Sequence, residues 1–596
     1  RILYVIAVRV PVFQVIKVVP RSFRPFGQEG LFCLCRPDLI IYLGGFFLRD
    51  FCLKNKKLLL GIFVLAIFYL YLAHLGSYHL MDPDEGRYNQ IPREMLLSGD
   101  FITPHLNGVE YFEKPAFQYW FTAIMMKIFG VTEFAGRILP ALSAIGCVGL
   151  AGFLGTMMYS RKVGLLASAI LATSCLNLIV ASINILDMAL TLFMTACMVF
   201  FYAFERTEKK KWLVAFYIAM GFGVLTKGLV AIILPFGILF WYTILTKRPR
   251  LFLKLFYLPG ILAFLIVTVP WFYLVCQANH DFFYFFFVRE HFLRFTTKMH
   301  DRFQPWWFFI PFVIIGILPW TGFLLSLFSK KGVIRKTTSQ RNRFDIIFLL
   351  LWFFIIFIFY SISDSKLVPY IMPCWMPLAI LIAASIKRFE DENSWLGHSF
   401  LINSILCLAF VGALVGYVLS SNYLTIDEFI AEGGLLTAAL FIGTIASIFV
   451  WIKTKRFRCT VSVLCVMGFF FGLGLHDVQQ QVHNNQSAYY VSQKINELNP
   501  QDALIVNYGD FYHGIPYYTN QRVALADFKG ELEFGSEHPS GAGWFFNGEE
   551  LNNLWNSQKR IIIVVKERYK DKCLNVLTSP AKQVLTEGSY TILINK

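Results

Sequence analysis

Apolar runs about as long as a membrane is thick recur down most of this 596-residue chain, and no other feature limits its fold as strongly. A helix needs about 17 to 25 residues to cross a hydrocarbon core of roughly 30 Å. Runs of that length stand at about 58–76, 138–159, 163–180, 186–205, 212–228, 229–245, 255–277, 305–328, 344–362, 367–386, 399–419, 436–452 and 459–476, giving thirteen expected spans. With 56% hydrophobic and 17% aromatic residues and a mean hydropathy of +0.56, the chain is too apolar for soluble domains of ordinary size. The expected fold class is an α-helical polytopic membrane protein.

The loops test that expectation, because short cytoplasmic loops collect Lys and Arg. Basic residues gather at Lys54 to Lys57, Arg161-Lys162, Lys209 to Lys211, Lys247 to Arg250, Lys330 to Arg343, Lys387-Arg388 and Lys453 to Arg456. All fall on one side if the first span enters from the cytoplasm. The net charge of +16 is then mostly an orientation signal, and no patch or fold supports a nucleic-acid partner. An odd number of spans leaves the C-terminal tail outside. Three outer regions have real length: about 77–137, about 278–304, and the tail over 479–596. In the tail, helix-like SAYYVSQKINEL and EELNNLWNS alternate with strand-like ALIVNYG, RVALAD and RIIIVV, which predicts a small α/β domain. Cys573 is the tail's only cysteine, so no disulfide framework is visible, and there is no CxxC or HExxH signature. Residues 1–53 hold no Met and fit neither a signal peptide nor a clean span. They are expected to be an extension before a start near Lys54, which leaves 54–478 as the transmembrane domain.

The chemistry is sought on the outer side. The stretch MDPDEGRY, residues 81–88, follows the first span directly. Asp84 and Glu85 there either offset the dipole of a helix's first turn or serve a site. Tyr88, Ile91 and Met95 keep helical spacing, so this helix is expected to lie flat on the membrane with its polar face toward a cavity. The loop closes on Tyr111-Phe112-Glu113-Lys114-Pro115, a second charged cluster. Asp187, in NILDMAL, opens a span at the outer side, where an ionisable residue needs a partner, a capping role or a task. Lys227 in LTKG either snorkels to the interface or meets a phosphate. Lys366 and Tyr370 in SKLVPY suit interfacial anchoring as well as a site. The aromatic run FFYFFFVREHF reads as interfacial packing or as a groove for a lipid tail. This mixed set at one boundary suits the handling of an anionic lipid head group.

The stretch DPDEGRYNQIPREMLLSGDFITPHLNGVEYFEKP resembles the first external loop of the bacterial lipid A aminoarabinose transferases, membrane glycosyltransferases of the GT-C class related to protein O-mannosyltransferases. LDMALTLF at 186–193, LTKG at 225–228 and SKLVPYIMPCWMPLAIL at 365–381 follow in the same order, so the resemblance covers roughly 54 to 480. The tail stretch YYTNQRVALADFKGELEFG is similar in kind and less diagnostic. The resemblance implies an inner-membrane enzyme, monomeric among membrane lipids, with its active site and C-terminal domain facing the periplasm. It would move an aminosugar, usually 4-amino-4-deoxy-L-arabinose, from undecaprenyl phosphate to a phosphate of lipid A. It implies Asp84 and Asp187 as essential acids, with Glu85 beside them as a third catalytic candidate. It implies Lys114 at the carrier phosphate and Arg87, Tyr88 and Tyr111 around it. Lys227, Arg294, Lys366 and Tyr370 are further substrate-binding candidates. It also implies Glu113 and His291 as ligands of a divalent metal, zinc or similar, although a Glu–His pair falls short of the three or four ligands of an ordinary site. No cofactor is called for by the residues themselves.

The chemistry can also be reasoned from the reactants. A lipid A phosphate is already anionic, so the barrier falls mainly through aligning two anionic lipids and neutralising charge on the departing phosphate. Lys114 and Arg87 suit that task, and Asp84 or Asp187 suits holding the sugar. Two other classes compete. A protein O-glycosyltransferase would share the acidic loop and accept a hydroxyl. A secondary transporter would place ionisable groups near the midplane and show inverted repeats, neither of which is seen here.

Overall fold

The computed structural model describes residues 56–293, 304–329, 332–334, 339–392, 396–420, 426–587 and 590–595. The extension expected over 1–53 lies outside them. Among the described residues, eight helices are long and apolar enough to cross a membrane, or up to ten if each of two bent pairs is one span, and two shorter apolar helices are Lys57–Leu72 and Val230–Leu245. The protein is a polytopic helical membrane protein. Breaks interrupt two of the thirteen expected runs, and Lys57–Leu72, Lys211–Lys227 and Val230–Leu245 are helices shorter than 18 residues.

The run expected at 163–180 folds as Arg161–Ala172 and Cys175–Ala181, bent by 62°. At the bend, Thr173 Oγ1 donates to Ala169 O (2.8 Å) and Ser174 Oγ to Ile170 O (2.6 Å), so hydroxyls take up carbonyls where the helix is interrupted. The run at 305–328 folds as Phe309–Gly316 and Thr321–Phe328, bent by 110°. The span expected from 367 opens with 3-10 geometry over Val368–Cys374 before Trp375–Glu392 continues it.

The helix Asp84–Ser98, expected flat on the membrane, is instead enclosed by protein. Glu85 to Arg93 are all buried, and Arg93 Nη1 donates to Pro516 O of the C-terminal domain (3.3 Å). Gly99, at φ 74, ends it with its N–H on Met95 O. The hairpin β1 (His105–Leu106) and β2 (Val109–Glu110) follows.

The last long helix, Phe457–Gln486, runs past the boundary expected at 478 and leads into the C-terminal domain. There the expected strands form as β3 (Ala503–Tyr508), β4 (Ala524–Ala526) and β6 (Arg560–Lys566), joined by β5 (Phe545–Phe546), β7 (Lys582–Glu587) and β8 (Tyr590–Ile594). The sheet order is β5-β4-β3-β6-β8-β7. β3 lies parallel to β4 and β6, while β8 runs antiparallel to β6 and β7. Its apolar face, including Val506, Ile561, Ile563 and Leu593, packs on Leu551 and Trp555. Those two come from the helix Gly548–Trp555, which Asn547 and Glu550 close with a capping box.

Candidate active site

Helical geometry separates the neighbours Asp84 and Glu85. Asp84, Arg87 and Tyr88 share one face and line a cavity of about 530 Å³. Glu85 points the other way into the fold, where it is fully buried. Its Oε1 accepts from Arg137 Nε and Asn184 N (2.8 Å each), and its Oε2 from Arg137 Nη2 (2.7 Å) and Met81 N (3.0 Å), with His483 Nδ1 at 3.1 Å. Burial alone would push this carboxyl up, but Arg137 and His483 hold it well below the usual carboxylate range. With both oxygens so engaged, Glu85 anchors the loop and does not face the cavity.

Arg87 is the hub of the cavity wall. It donates to Asp84 Oδ1 (2.7 Å), Tyr111 Oη (3.1 Å) and Glu531 Oε2 (2.5 Å). Tyr111 therefore stands behind the wall, orienting Arg87. Glu531, from the C-terminal domain, also bonds His513. Burial would raise its carboxyl, but Arg87 and His513 hold it down at about 2.

The FEKP residues return to the same cavity. Lys114 Nζ lies 3.8 Å from Glu113 Oε2 and 4.0 Å from Glu290 Oε2, and donates to Glu113 O at 2.8 Å. Burial pushes the Glu113 carboxyl up; Lys114 opposes this and Glu290 adds to it. Asp187, in the first turn of Leu186–Thr207, is not a side-chain cap, since Ile185 stands at the N-cap position. Its Oδ1 accepts from Lys227 Nζ at 2.6 Å. Lys227 in turn sits 4.4 Å from the centre of the Tyr370 ring, and of its two expected placements, at the interface or at the site, it takes a place in the cavity wall. Lys366 is spent on backbone, donating to Gln304 O and Ser363 O, while Leu367, Pro369 and Tyr370 line the wall. His291 falls in the π-helix Tyr284–Leu293 with its side chain outside the described residues, and Arg294 lies outside them altogether.

Among the described residues no three His, Cys, Asp or Glu side chains converge as a metal would require. Glu113 and Glu290 flank the Lys114 ammonium instead. His291, the other expected ligand, has its side chain outside the described residues, and no step below runs through a metal.

Several wall residues escaped the sequence reading: Arg289 and Glu290 beside the aromatic run, and Asp510, His513 and Glu531 in the C-terminal domain. Arg289 and Glu290 stand in the quoted VREHF stretch, and Glu531 stands in FKGELEFG. Nothing in local spacing tells that Glu531 folds back on an arginine 444 positions earlier.

The family model for dolichyl-phosphate-mannose-protein mannosyltransferases matches residues 57–286, and that for the aminoarabinose transferase C-terminal domain matches residues 491–595. The undecaprenyl phosphate-alpha-4-amino-4-deoxy-L-arabinose arabinosyl transferase of Aeromonas salmonicida (strain A449) is 30% identical over 561 residues, 91% of this chain and 99% of the relative. This chain belongs to the aminoarabinose transferase family. Arabinosyl transferase 1 of Proteus mirabilis (strain HI4320), from the same aminoarabinose transferase family, is 29% identical over 89% of this chain and 97% of its own. Two crystal structures of ArnT from Cupriavidus metallidurans, bound to undecaprenyl phosphate and in the apo state, match with TM-scores of 0.77 and 0.78 at 26% identity. They cover 90% and 91% of this chain and 98% of their own. As an aminoarabinose transferase family member with these matches at full length, the chain is a membrane glycosyltransferase of GT-C type.

Proposed function

We propose that this enzyme moves 4-amino-4-deoxy-L-arabinose from undecaprenyl phosphate to a phosphate of lipid A, as a monomer in the bacterial inner membrane with its cavity and C-terminal domain facing the periplasm. The observation that carries the reading is that Asp84, Arg87, Lys114 and Asp187, distant in sequence, line one cavity together with Glu531 of the C-terminal domain. The match of that domain to the aminoarabinose transferase model favours this donor over the protein mannosylation named for the model matched by residues 57–286.

In the reaction, an oxygen of the lipid A phosphate attacks the anomeric carbon of the sugar. That forms a new carbon–oxygen bond while the bond to the carrier phosphate breaks, and the electron pair leaves with undecaprenyl phosphate. The nucleophile is already anionic, so no strong base is required. Lys114 and Arg87 offset the growing charge on the leaving phosphate. Asp84 and Asp187, each held by a cation, position the sugar and steady positive charge at its anomeric carbon. Glu531 has a permanent charge suited to the sugar's ammonium group.

Mass spectrometry of lipid A from cells with and without the gene tests donor, acceptor and reaction together. The expected result is an aminoarabinose adduct only with the gene. A hexosamine adduct would correct the sugar and leave the reaction, and a glycosylated protein with unmodified lipid A would replace the acceptor. Asp84→Asn is expected to insert normally and lose the adduct. Near-normal modification by that variant would remove Asp84 from the chemistry.

A further inference from the structure

Asp82 stands in the same loop as the expected catalytic acids, yet its carboxylate turns away from the cavity. Both oxygens are buried and bonded by no side chain among the described residues, and the backbone N–H of Gly514 stands beside them. They are wedged between two glycines on two different elements. A Cβ on Gly86, in the loop helix, would stand 2.5 Å from Asp82 Oδ1, and one on Gly514, in the C-terminal domain, would stand 3.0 and 3.3 Å from its two oxygens. A side chain at Gly86 would force a shift, and one at Gly514 would require Asp82 to give by a few tenths of an ångström. The backbone N–H of Asp82 donates to Gln486 O, the last residue of the helix that delivers the C-terminal domain (3.3 Å). One residue beyond Asp82, Pro83 lines the cavity, and one residue before Gly514, so does His513. His513 bonds Glu531, Glu531 bonds Arg87, and Arg87 bonds Asp84. Nδ1 of His513 is a buried atom without a partner among the described residues.

We propose that Asp82 is a positioning residue for sugar transfer, the joint through which the C-terminal domain holds the His513–Glu531–Arg87–Asp84 chain in place against the loop. This rests on the transferase reading above. The charged and titratable groups around Asp82 are His513, Lys566, Asp510 and Tyr590 from the C-terminal domain, with Asp84 and Glu85 on its own loop. Burial, helped by Asp510, pushes the Asp82 carboxyl up to about 6, against the pull of His513, the Gly514 backbone N–H and Lys566. Above that pH the carboxylate is charged and attracts His513, whose Nε2 bonds Glu531. Below it, protonated Asp82 loses that attraction. Transfer therefore loses rate as the pH falls through about 6.

The test is steady-state transfer by the full-length protein in detergent, from purified undecaprenyl phosphate-aminoarabinose to lipid A, from pH 5 to 8. Asp82→Asn keeps the volume and removes the charge. It is expected to lower kcat about ten- to hundredfold near pH 7.5, the scale on which a misplaced group costs rate, with donor KM little changed and the acidic limb flattened. Wild-type kcat in that variant, or an unchanged acidic limb, overturns the proposal. Should Asp82→Asn fail to fold, His513→Gln must flatten the same limb, and its retention there overturns the proposal equally. Infrared spectra between pH 5 and 7.5, wild type minus Asp82→Asn, read Asp82 without turnover, because other buried carboxyls such as Glu113 cancel. A buried carboxyl band present at low pH is expected, and its absence overturns the proposal even if the wild type transfers no sugar, an outcome that would separately sink the function.

Discussion

Lys114 meets both acids near it at salt-bridge limits of 3.8 and 4.0 Å, whereas Lys227 is closely paired with Asp187 at 2.6 Å. Engaging Lys227 would free Asp187, so Lys114 is the cation expected to take a lipid phosphate entering the cavity. Lys114→Ala is expected to weaken binding of undecaprenyl phosphate by roughly 1.5–3 kcal/mol, about ten- to hundredfold. Lys227→Ala measured alongside should bind nearly as well and turn over more slowly, because it frees Asp187. The reverse ranking would move the phosphate to the LTKG turn. Glu85 carries a different prediction. It and Arg137 are both fully buried, so Glu85→Gln leaves a buried guanidinium without its counter-charge and should cost about 3–5 kcal/mol of stability. The folded carboxyl titrates below its unfolded value of about 4.3. The stability from this pair is therefore complete above that pH and lost as pH falls through it toward the lower folded value. Thermal unfolding in detergent checks both statements, and an unchanged midpoint in Glu85→Gln would deny the anchor. The sequence placed Asp84, Glu85, Glu113, Lys114 and Asp187 at one boundary. It gave no means to tell the cavity acid Asp84 from the anchor Glu85, because that depends on which way a helix is rotated about its axis.

The helices themselves were legible as apolar runs, and the tail's central strands as β-branched ones, since length and composition act locally. The bends at 173–174 and 317–320 were not, because the residues that allow them are ordinary hydroxyl, Gly and Pro positions. Nor was one close helix contact visible in advance. The helices Glu133–Met158 and Arg161–Ala172 approach so nearly that a Cβ on Gly164 would fall 2.3 Å from Gly152 O, and one on Gly155 would fall 3.1 Å from Gly164 Cα. Small residues permit such contact where apolar burial alone gives no preference between helix and lipid. Gly164→Leu is expected to force these helices apart and deplete monodisperse protein on gel filtration in detergent, whereas Gly149→Leu, with open space around its Cβ position, should behave as wild type. Equal recovery of both variants would show that the pair tolerates separation.

At the scale of the molecule, the helices Leu186–Thr207 and Lys211–Lys227 run between the cavity and the lysine cluster at 209–211. Leu186–Thr207 starts at Asp187 beside the cavity and ends next to Lys209 to Lys211, and Lys211–Lys227 returns from those lysines to the cavity. The helix Phe457–Gln486 starts just after Lys453 to Arg456 and ends at Gln486, whose carbonyl holds Asp82. The charges of short loops set membrane orientation, with Lys and Arg retained in the cytoplasm. On that rule the cavity and the C-terminal domain are expected on the opposite face, where the two proposed lipid substrates would meet. A phosphatase that is active only outside the cytoplasm, fused after Lys596, is therefore expected to be active. The same enzyme fused in the Lys209 to Lys211 loop should be inactive. Activity in the loop fusion alone would invert the orientation and put the cavity on the cytoplasmic side. The geometry of the cavity would survive that result, and the lipid A acceptor would have to be replaced by a lipid available at the inner leaflet.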